Sequence, residues 1–177
     1  MKIVVINGMP HAGKDQFVQF CQEHTFWCQN LSTVDFVKQV AKYCGWDGEK
    51  TPKNRAFLSD LKDLLTQWND IPFKDIQRKL SLFEAEARRY DFSTDDVVAF
   101  IHCREPKEID KFVAEMGAMT LLIRREAVES RNQSNHADAE VFNYAYDYTI
   151  DNNGTLAELD KKAVEFLIAI GITNLKI

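Results

Sequence analysis

A short apolar run, Ile3-Val4-Val5-Ile6, leads directly into Asn7-Gly8-Met9-Pro10-His11-Ala12-Gly13-Lys14, and a helical pattern starts at Lys14. A β-branched run without polar alternation reads as a strand buried on both faces, as in a parallel sheet. After it, Phe17, Val18, Phe20 and Cys21 recur on one side of a helix. Between the two stands a G-x-x-x-x-G-K spacing. Its glycines let the backbone curl so that successive N–H groups converge on one phosphate chain. The helix start adds its positive end, and the lysine ammonium reaches the β- and γ-phosphates. An ordinary glycine turn is the plain alternative, but the strand–loop–helix context is the one this chemistry requires. Asp15 follows where a Ser or Thr hydroxyl commonly ligates Mg²⁺. A carboxylate there supplies oxygen to the metal directly or through water.

The rest of the chain continues the alternation. Continuous apolar or β-rich runs predict strands over residues 25–31, 97–103, 119–123 and 148–151. Ser32 or Thr33 is a candidate N-cap for a helix carrying Val37, Val40, Ala41 and Cys44, with Gly45 as its stop. Thr51-Pro52 opens another, where Phe57, Leu58, Leu61, Leu64, Leu65 and Trp68 repeat at helical spacing and read as core. Pro72 opens a third, with Phe73, Ile76, Leu80, Phe83 and Ala87 aligned. Residues 106–116 form a helix with Ile109, Phe112, Val113 and Met116 inward and Gly117 as stop. In the last helix Thr155 and Glu158 have capping-box spacing, and Leu159, Ala163, Phe166, Leu167 and Ile170 face inward. Strands alternating with helices predict an α/β fold on a parallel sheet. Residues 124–142 are polar with weak periodicity.

At 177 residues the expectation is one domain, and a net charge of −5 without a Lys/Arg run argues against nucleic acid and membrane surfaces as partners. The cysteines at 21, 28, 44 and 103 have no metal-ligand spacing, which reads as reduced thiols in a cytoplasmic protein. Nothing approaches eighteen consecutive apolar residues. The acidic total hides an uneven distribution, because all eight arginines lie between Arg55 and Arg131. Arg104 follows the 97–103 strand, and Arg124-Arg125 follow the next. Carboxyl ends of parallel strands are where α/β sheets bind ligands, and a planar guanidinium suits phosphate oxygens.

The loop 8–15, with its Gly13-Lys14-Asp15 ending, resembles that of the phage-type deoxynucleoside monophosphate kinases, within the P-loop nucleoside monophosphate kinase superfamily. Animal-type phosphomevalonate kinases share a similar Gly-Lys-Asp loop. Phe36-Val37-Lys38 is similar to the family's lysine-bearing segment after strand two. Arg104, Gly117-Ala118 and the strand ending at Arg125 are similar to its central segment. Ile150-Asp151-Asn152-Asn153-Gly154-Thr155-Leu156 looks like its Asn-Asp-Gly-Ser/Thr-Leu stretch. The resemblance covers the loop and the C-terminal half, and covers residues 54–90 poorly. His102 departs from the pattern, standing where the family has an aspartate two residues before the arginine.

This resemblance implies an adenylate-kinase-like P-loop NTPase: a five-stranded parallel sheet of order 2-3-1-4-5 with helices on both faces. One domain, 1–177, would carry a helical acceptor-binding insertion near residues 46–92 and a lid near 124–142. The implied reaction is phosphoryl transfer from ATP with Mg²⁺ to a nucleoside monophosphate, most naturally a deoxynucleoside monophosphate. Gly8, His11, Ala12, Gly13, Lys14, Asp15, Gln16, Asn152 and Gly154 would bind ATP, with Lys14, Arg104 and Arg125 catalytic. Asp35, Lys38, Arg55 and Arg78 would hold the acceptor. Arg124 and Arg131 would belong to the lid, with Ser134, Asn135, His136 and Asp138 as closure contacts. Asp15 and Glu105 would serve the metal. A monomer or homodimer is expected. Two alternatives stay open: a kinase for another small phosphorylated metabolite, and a non-catalytic nucleotide-binding regulator.

Overall fold

A computed structural model of the protein describes residues 1–129 and 141–176. The strands are β1 (Lys2–Asn7), β2 (Trp27–Ser32), β3 (Val97–His102), β4 (Met119–Arg124) and β5 (Tyr148–Asp151). The helices are α1 (Lys14–His24), α2 (Asp35–Tyr43), α3 (Pro52–Asn69), α4 (Ile71–Arg89), α5 (Pro106–Met116), α6 (Glu126–Glu129) and α7 (Leu156–Ala169). The sheet order is β2-β3-β1-β4-β5, the order expected of the P-loop kinase fold. β1 runs parallel to both β3 and β4, with Val4 opposite Phe100 on one side and Met119 on the other, and β4 runs parallel to β5. The strand that delivers the glycine loop is therefore the central one. No helix among the described residues is long and apolar enough to cross a membrane.

The chain divides into two compact units, Met1–Asn30 with Glu84–Ile177, and Leu31–Phe83. In the first, Val4, Ile6, Val98, Phe100, Leu121 and Ile123 project from one face of the sheet into a core shared with α1 and α7. Phe17 meets the Phe100 and Phe166 rings edge-on, at centroid distances of 6.2 and 5.6 Å. The intervening residues Val5, Ala99 and Ile101 are buried on the opposite face, where α5 contacts β1 and β4. Each large apolar side chain so buried stabilises the fold by about 1.5–3 kcal/mol. Both faces are covered, and that is why these strands lack polar alternation. Gly117 closes α5 in the left-handed region at φ 62°, and Thr155 with Glu158 forms the capping box of α7. Val113, expected inward on α5, is 38 % exposed, because the sheet reaches only the Ile109–Phe112 side of that helix.

In the second unit α2 packs on α3. Thr51 caps α3, its hydroxyl accepting from the Asn54 N–H, and Pro52 occupies the first turn. The apolar stripe of α3 is not a core, however. None of its residues is buried, and Leu64 and Trp68 are 62 % and 79 % exposed. Periodicity defines a face but does not supply its cover, and α2 has nine residues against the eighteen of α3. On α4, by contrast, Phe73, Ile76 and Leu80 are buried as expected. The α2 cap also differs from expectation. Val34 is the N-cap residue, while the Asp35 carboxylate accepts from the Ser32 N–H at 2.9 Å. All four cysteines are free thiols, Cys21 and Cys103 buried and Cys44 exposed.

Candidate functional site

The loop leaving β1 owes its shape to three residues with positive φ: Gly8 at 146°, His11 at 65° and Gly13 at 99°. A Cβ at Gly8 would collide with the Ile123 carbonyl oxygen of β4, and one at Gly13 with the Asn152 carboxamide nitrogen. Both glycines are thus required twice, for backbone conformation and for space. The Ala12 N–H donates to the Met9 carbonyl at 3.1 Å, closing the loop on itself. Gly13 is the N-cap of α1 and has no side chain to accept from the first-turn N–H groups, which leaves them open to water or an anion. Lys14 curls over the loop, its ammonium donating to the carbonyls of Gly8 at 2.6 Å and Met9 at 2.9 Å. His11 is exposed, Ala12 buried and Gln16 half-buried.

Residues both adjacent to this loop and distant from it in sequence hold it. The Asn7 Oδ1 accepts from the Gly8 N–H at 2.8 Å. From the far side of the sheet, Asn152 donates through Nδ2 to the Ala12 carbonyl at 2.8 Å and through its own N–H to the Arg124 carbonyl at 2.7 Å. Its neighbour Asn153 accepts from the Glu126 N–H at 2.9 Å, capping α6. Gly154 lies where a Cβ would strike the Glu158 carboxylate of the α7 capping box. The three residues after β5 therefore tie together the loop, the end of β4 and the last helix.

Arg124 forms a two-pronged pair with Glu129, at 3.0 and 2.8 Å, and its guanidinium lies 5.7 Å from the centre of the Phe142 ring. Hydrogen bonding and charge from Glu129 raise the guanidinium above its ordinary range, and the same hydrogen bonds hold the Glu129 carboxyl below its own. Arg125 is exposed, and its carbonyl accepts from the Val128 N–H in the first turn of α6. Arg104 is half-buried just beyond β3. Glu105 is the N-cap residue of α5 without a side-chain cap bond.

Asp15, at the start of α1, is 92 % exposed, and its carboxylate lies 3.6 Å from Nε2 of His102, a ring only 17 % exposed. The imidazole at the end of β3 therefore sits beside the carboxylate that follows Lys14. Among the described residues no three His, Cys, Asp or Glu groups converge to cage a metal ion. Mg²⁺ needs no such cage, since it is commonly held by one or two carboxylates, waters and substrate phosphates. An exposed Asp15 at the start of α1 suits that mode.

The second unit carries the remaining expected residues. Asp35 lies 3.9 Å from Lys38, Arg55 donates to the Lys50 carbonyl at 3.2 Å, and Arg78 pairs with Asp75 at 3.0 Å. Asp75 is buried and also holds Lys79 at 2.7 Å. Arg131, Ser134, Asn135, His136 and Asp138 lie outside the described residues. Sequence reasoning did not single out Asn7, Asp75, Lys79 or Glu129. The i,i+3 and i,i+4 spacings of Arg78 and Lys79 from Asp75 were the available signal for that cluster.

No protein-family model and no curated protein matches the sequence. Among solved structures, a sugar kinase from Janibacter sp. is 12 % identical over 100 % of this chain and 99 % of its own, with a TM-score of 0.50. A protein from Thermus thermophilus is 16 % identical over 95 % of this chain and 96 % of its own, with a TM-score of 0.55. What these proteins share with this chain is the fold over its whole length.

Proposed function

We propose that the protein is a P-loop kinase that transfers the γ-phosphoryl group of ATP to a small phosphorylated acceptor, a deoxynucleoside monophosphate being the leading candidate. The observation that carries this reading is the loop after the central strand, with Lys14 folded over the Gly8 and Met9 carbonyls at the start of α1. The likeness in fold to a structure described as a sugar kinase supports phosphotransfer on this scaffold. The choice of a deoxynucleoside monophosphate as acceptor rests on the resemblance of the Gly13-Lys14-Asp15 and Asn152-Asn153-Gly154 segments to those of phage-type deoxynucleoside monophosphate kinases.

An acceptor phosphate is already an anion, so no general base is needed, and catalysis reduces to positioning and charge neutralisation. Lys14 would exchange its carbonyl partners for the β- and γ-phosphate oxygens, while loop and α1 amides hold the chain. Arg104 and Arg125 would neutralise the migrating group. Glu129 occupies both prongs of Arg124, which suits Arg124 to anchoring α6 more than to meeting phosphate. Asp15, with Glu105 as a second candidate, would hold Mg²⁺, which supplies bridging positive charge to the phosphate oxygens. In the second unit, Asp35, Lys38, Arg55 and Arg78 would bind the acceptor. Arg131 would act as a lid arginine.

The deciding experiment incubates the protein with ATP, Mg²⁺ and a panel of ribo- and deoxynucleoside monophosphates, with phosphomevalonate alongside. Phosphorylation of a nucleoside monophosphate supports the reading, and phosphorylation of phosphomevalonate alone rejects the nucleotide acceptor. His102 in place of an acid favours a second reading, a nucleotide-binding regulator. Tight ATP binding with no acceptor phosphorylated would select it.

A further inference from the structure

At the end of β1, where the loop begins, Asn7 is almost fully buried, at 1 % exposure. Its Oδ1 accepts from the Gly8 N–H at 2.8 Å. Its Nδ2 donates to the Tyr146 hydroxyl at 2.8 Å and, more weakly, to the Arg104 carbonyl at 3.5 Å. The Tyr146 hydroxyl in turn donates to the Val141 carbonyl at 2.9 Å. The two ends of a carboxamide have nearly the same shape, so its orientation is set by its partners alone. Here the partners leave one answer. With the tyrosine proton directed at Val141, the phenol oxygen offers Asn7 a lone pair and requires a donor in return. Turning the carboxamide over would set its NH₂ against the Gly8 N–H, donor against donor, and would draw the Tyr146 proton off Val141.

The tyrosine itself is well anchored. Val141 is fully buried, and the Tyr144 ring lies 5.1 Å from that of Tyr146. Asp147 accepts from the N–H and the hydroxyl of Thr120 at 2.8 and 2.9 Å, and returns its own N–H to the Thr120 hydroxyl at 2.8 Å. Burial pushes the Tyr146 phenol up to about 12, so it keeps the proton this relay needs throughout the neutral range.

We propose that Tyr146 is a positioning residue for the phosphate loop, acting through Asn7: it fixes which way the carboxamide faces, and so keeps the Gly8 amide engaged at the point where the loop leaves the sheet. Gly8, at φ 146° with its α-carbon against the Ile123 carbonyl, is then held from two sides before any ligand arrives. The consequence for nucleotide binding rests on the reading of the loop given above, whereas the consequence for the Gly8 amide does not.

The test compares Tyr146→Phe with Tyr144→Phe, which removes a neighbouring hydrogen bond of 2.9 Å to Asp110 without touching Asn7. Amide hydrogen exchange at Gly8 is read by NMR, MgATP affinity by calorimetry, and folding by thermal melting. In Tyr146→Phe we expect Gly8 exchange and the MgATP Kd each to rise about tenfold, while Tyr144→Phe changes both by less than about twofold. Adding Tyr146→Phe to Asn7→Ala should produce no further change, since the first residue acts through the second. Unchanged Gly8 exchange in Tyr146→Phe would overturn the proposal. So would equal acceleration in both tyrosine variants, or full additivity with Asn7→Ala. If the wild-type protein bound no MgATP, the kinase reading would fall, and the exchange data would still decide the role of Tyr146.

Discussion

The carboxamide of Asn152 donates to the carbonyl oxygen of Ala12 at 2.8 Å, across 140 positions of the chain. The side chain that any residue other than glycine would bring to position 13 falls on that same nitrogen. Gly13 and Asn152 thus specify one another: the absent Cβ makes room for the amide, and the amide holds the loop that the glycine bends.

Gly13→Ala should therefore be doubly damaging. Strain at φ 99° and displacement of Asn152 should together lower stability by about 1–3 kcal/mol and weaken MgATP binding at least about tenfold. Asn152→Ala alone should cost about 1 kcal/mol. The double variant should lose less than the two single losses combined, because the clash has gone. Urea unfolding and calorimetric titration of the three variants measure this coupling.

Lys14→Ala should reduce phosphoryl transfer by at least about a hundredfold, the scale of removing one charge from a preorganised transition-state site. The half-exposed Lys14 side chain donates to the carbonyls of Gly8 and Met9, a contribution on the scale of an ordinary hydrogen bond. Circular dichroism and the urea midpoint should accordingly stay close to wild type. Turnover that survives this substitution would refute the assignment of the loop.

The Arg124–Glu129 pair predicts a response to acid. Hydrogen bonds from Arg124 hold the Glu129 carboxyl below its ordinary value of 4.5, so the folded state prefers the ionised form. Its contribution to stability is complete above that value and is lost as pH falls through the lowered one. Relative to Glu129→Gln, the wild-type protein should be more stable at pH 7, and the difference should shrink as pH falls below 4.5 and be lost once pH is under the lowered value of the folded state. Denaturant midpoints of both proteins across that range are the measurement.

Exposure separates two apolar stripes that look equivalent in sequence. Trp68→Gln and Leu64→Gln on α3 should each shift stability by no more than about 0.5 kcal/mol. Ile76→Ala on α4, at a fully buried position, should cost about 2–5 kcal/mol. Thermal melts of the three variants distinguish the helices.

The local grammar of this chain was readable at particular residues. Thr51-Pro52, Gly117 and the Thr155–Glu158 box mark helix ends, because capping is satisfied within a few residues. The glycine loop was readable for the same reason, its geometry being written into eight consecutive positions. What lay hidden depends on distance along the chain. Asn7 and Tyr146 are 139 residues apart, and no periodicity links a strand-end asparagine to a tyrosine that far downstream. The stripe on α3 misled for a related reason: spacing marks the apolar side of a helix, while its cover comes from elsewhere. Glu129 was missed because the 124–142 segment lacks periodicity, so nothing pointed to a pairing back to Arg124.

The central place of β1 also bears on how the protein is made. Its partners are β3, where Lys2 pairs with Val98, and β4, where Val4 pairs with Met119. A ribosome adding about 5–20 residues per second needs on the order of ten seconds to supply both. Until β3 is made, Ile3-Val4-Val5-Ile6 is an apolar strand with two open edges, and until β4 follows one edge stays open, a segment for nascent-chain chaperones to hold or for neighbouring polysomes to entangle. The glycine loop is thus made well before the residue that completes its shape, and it settles only after Ile123 has arrived to close over Gly8.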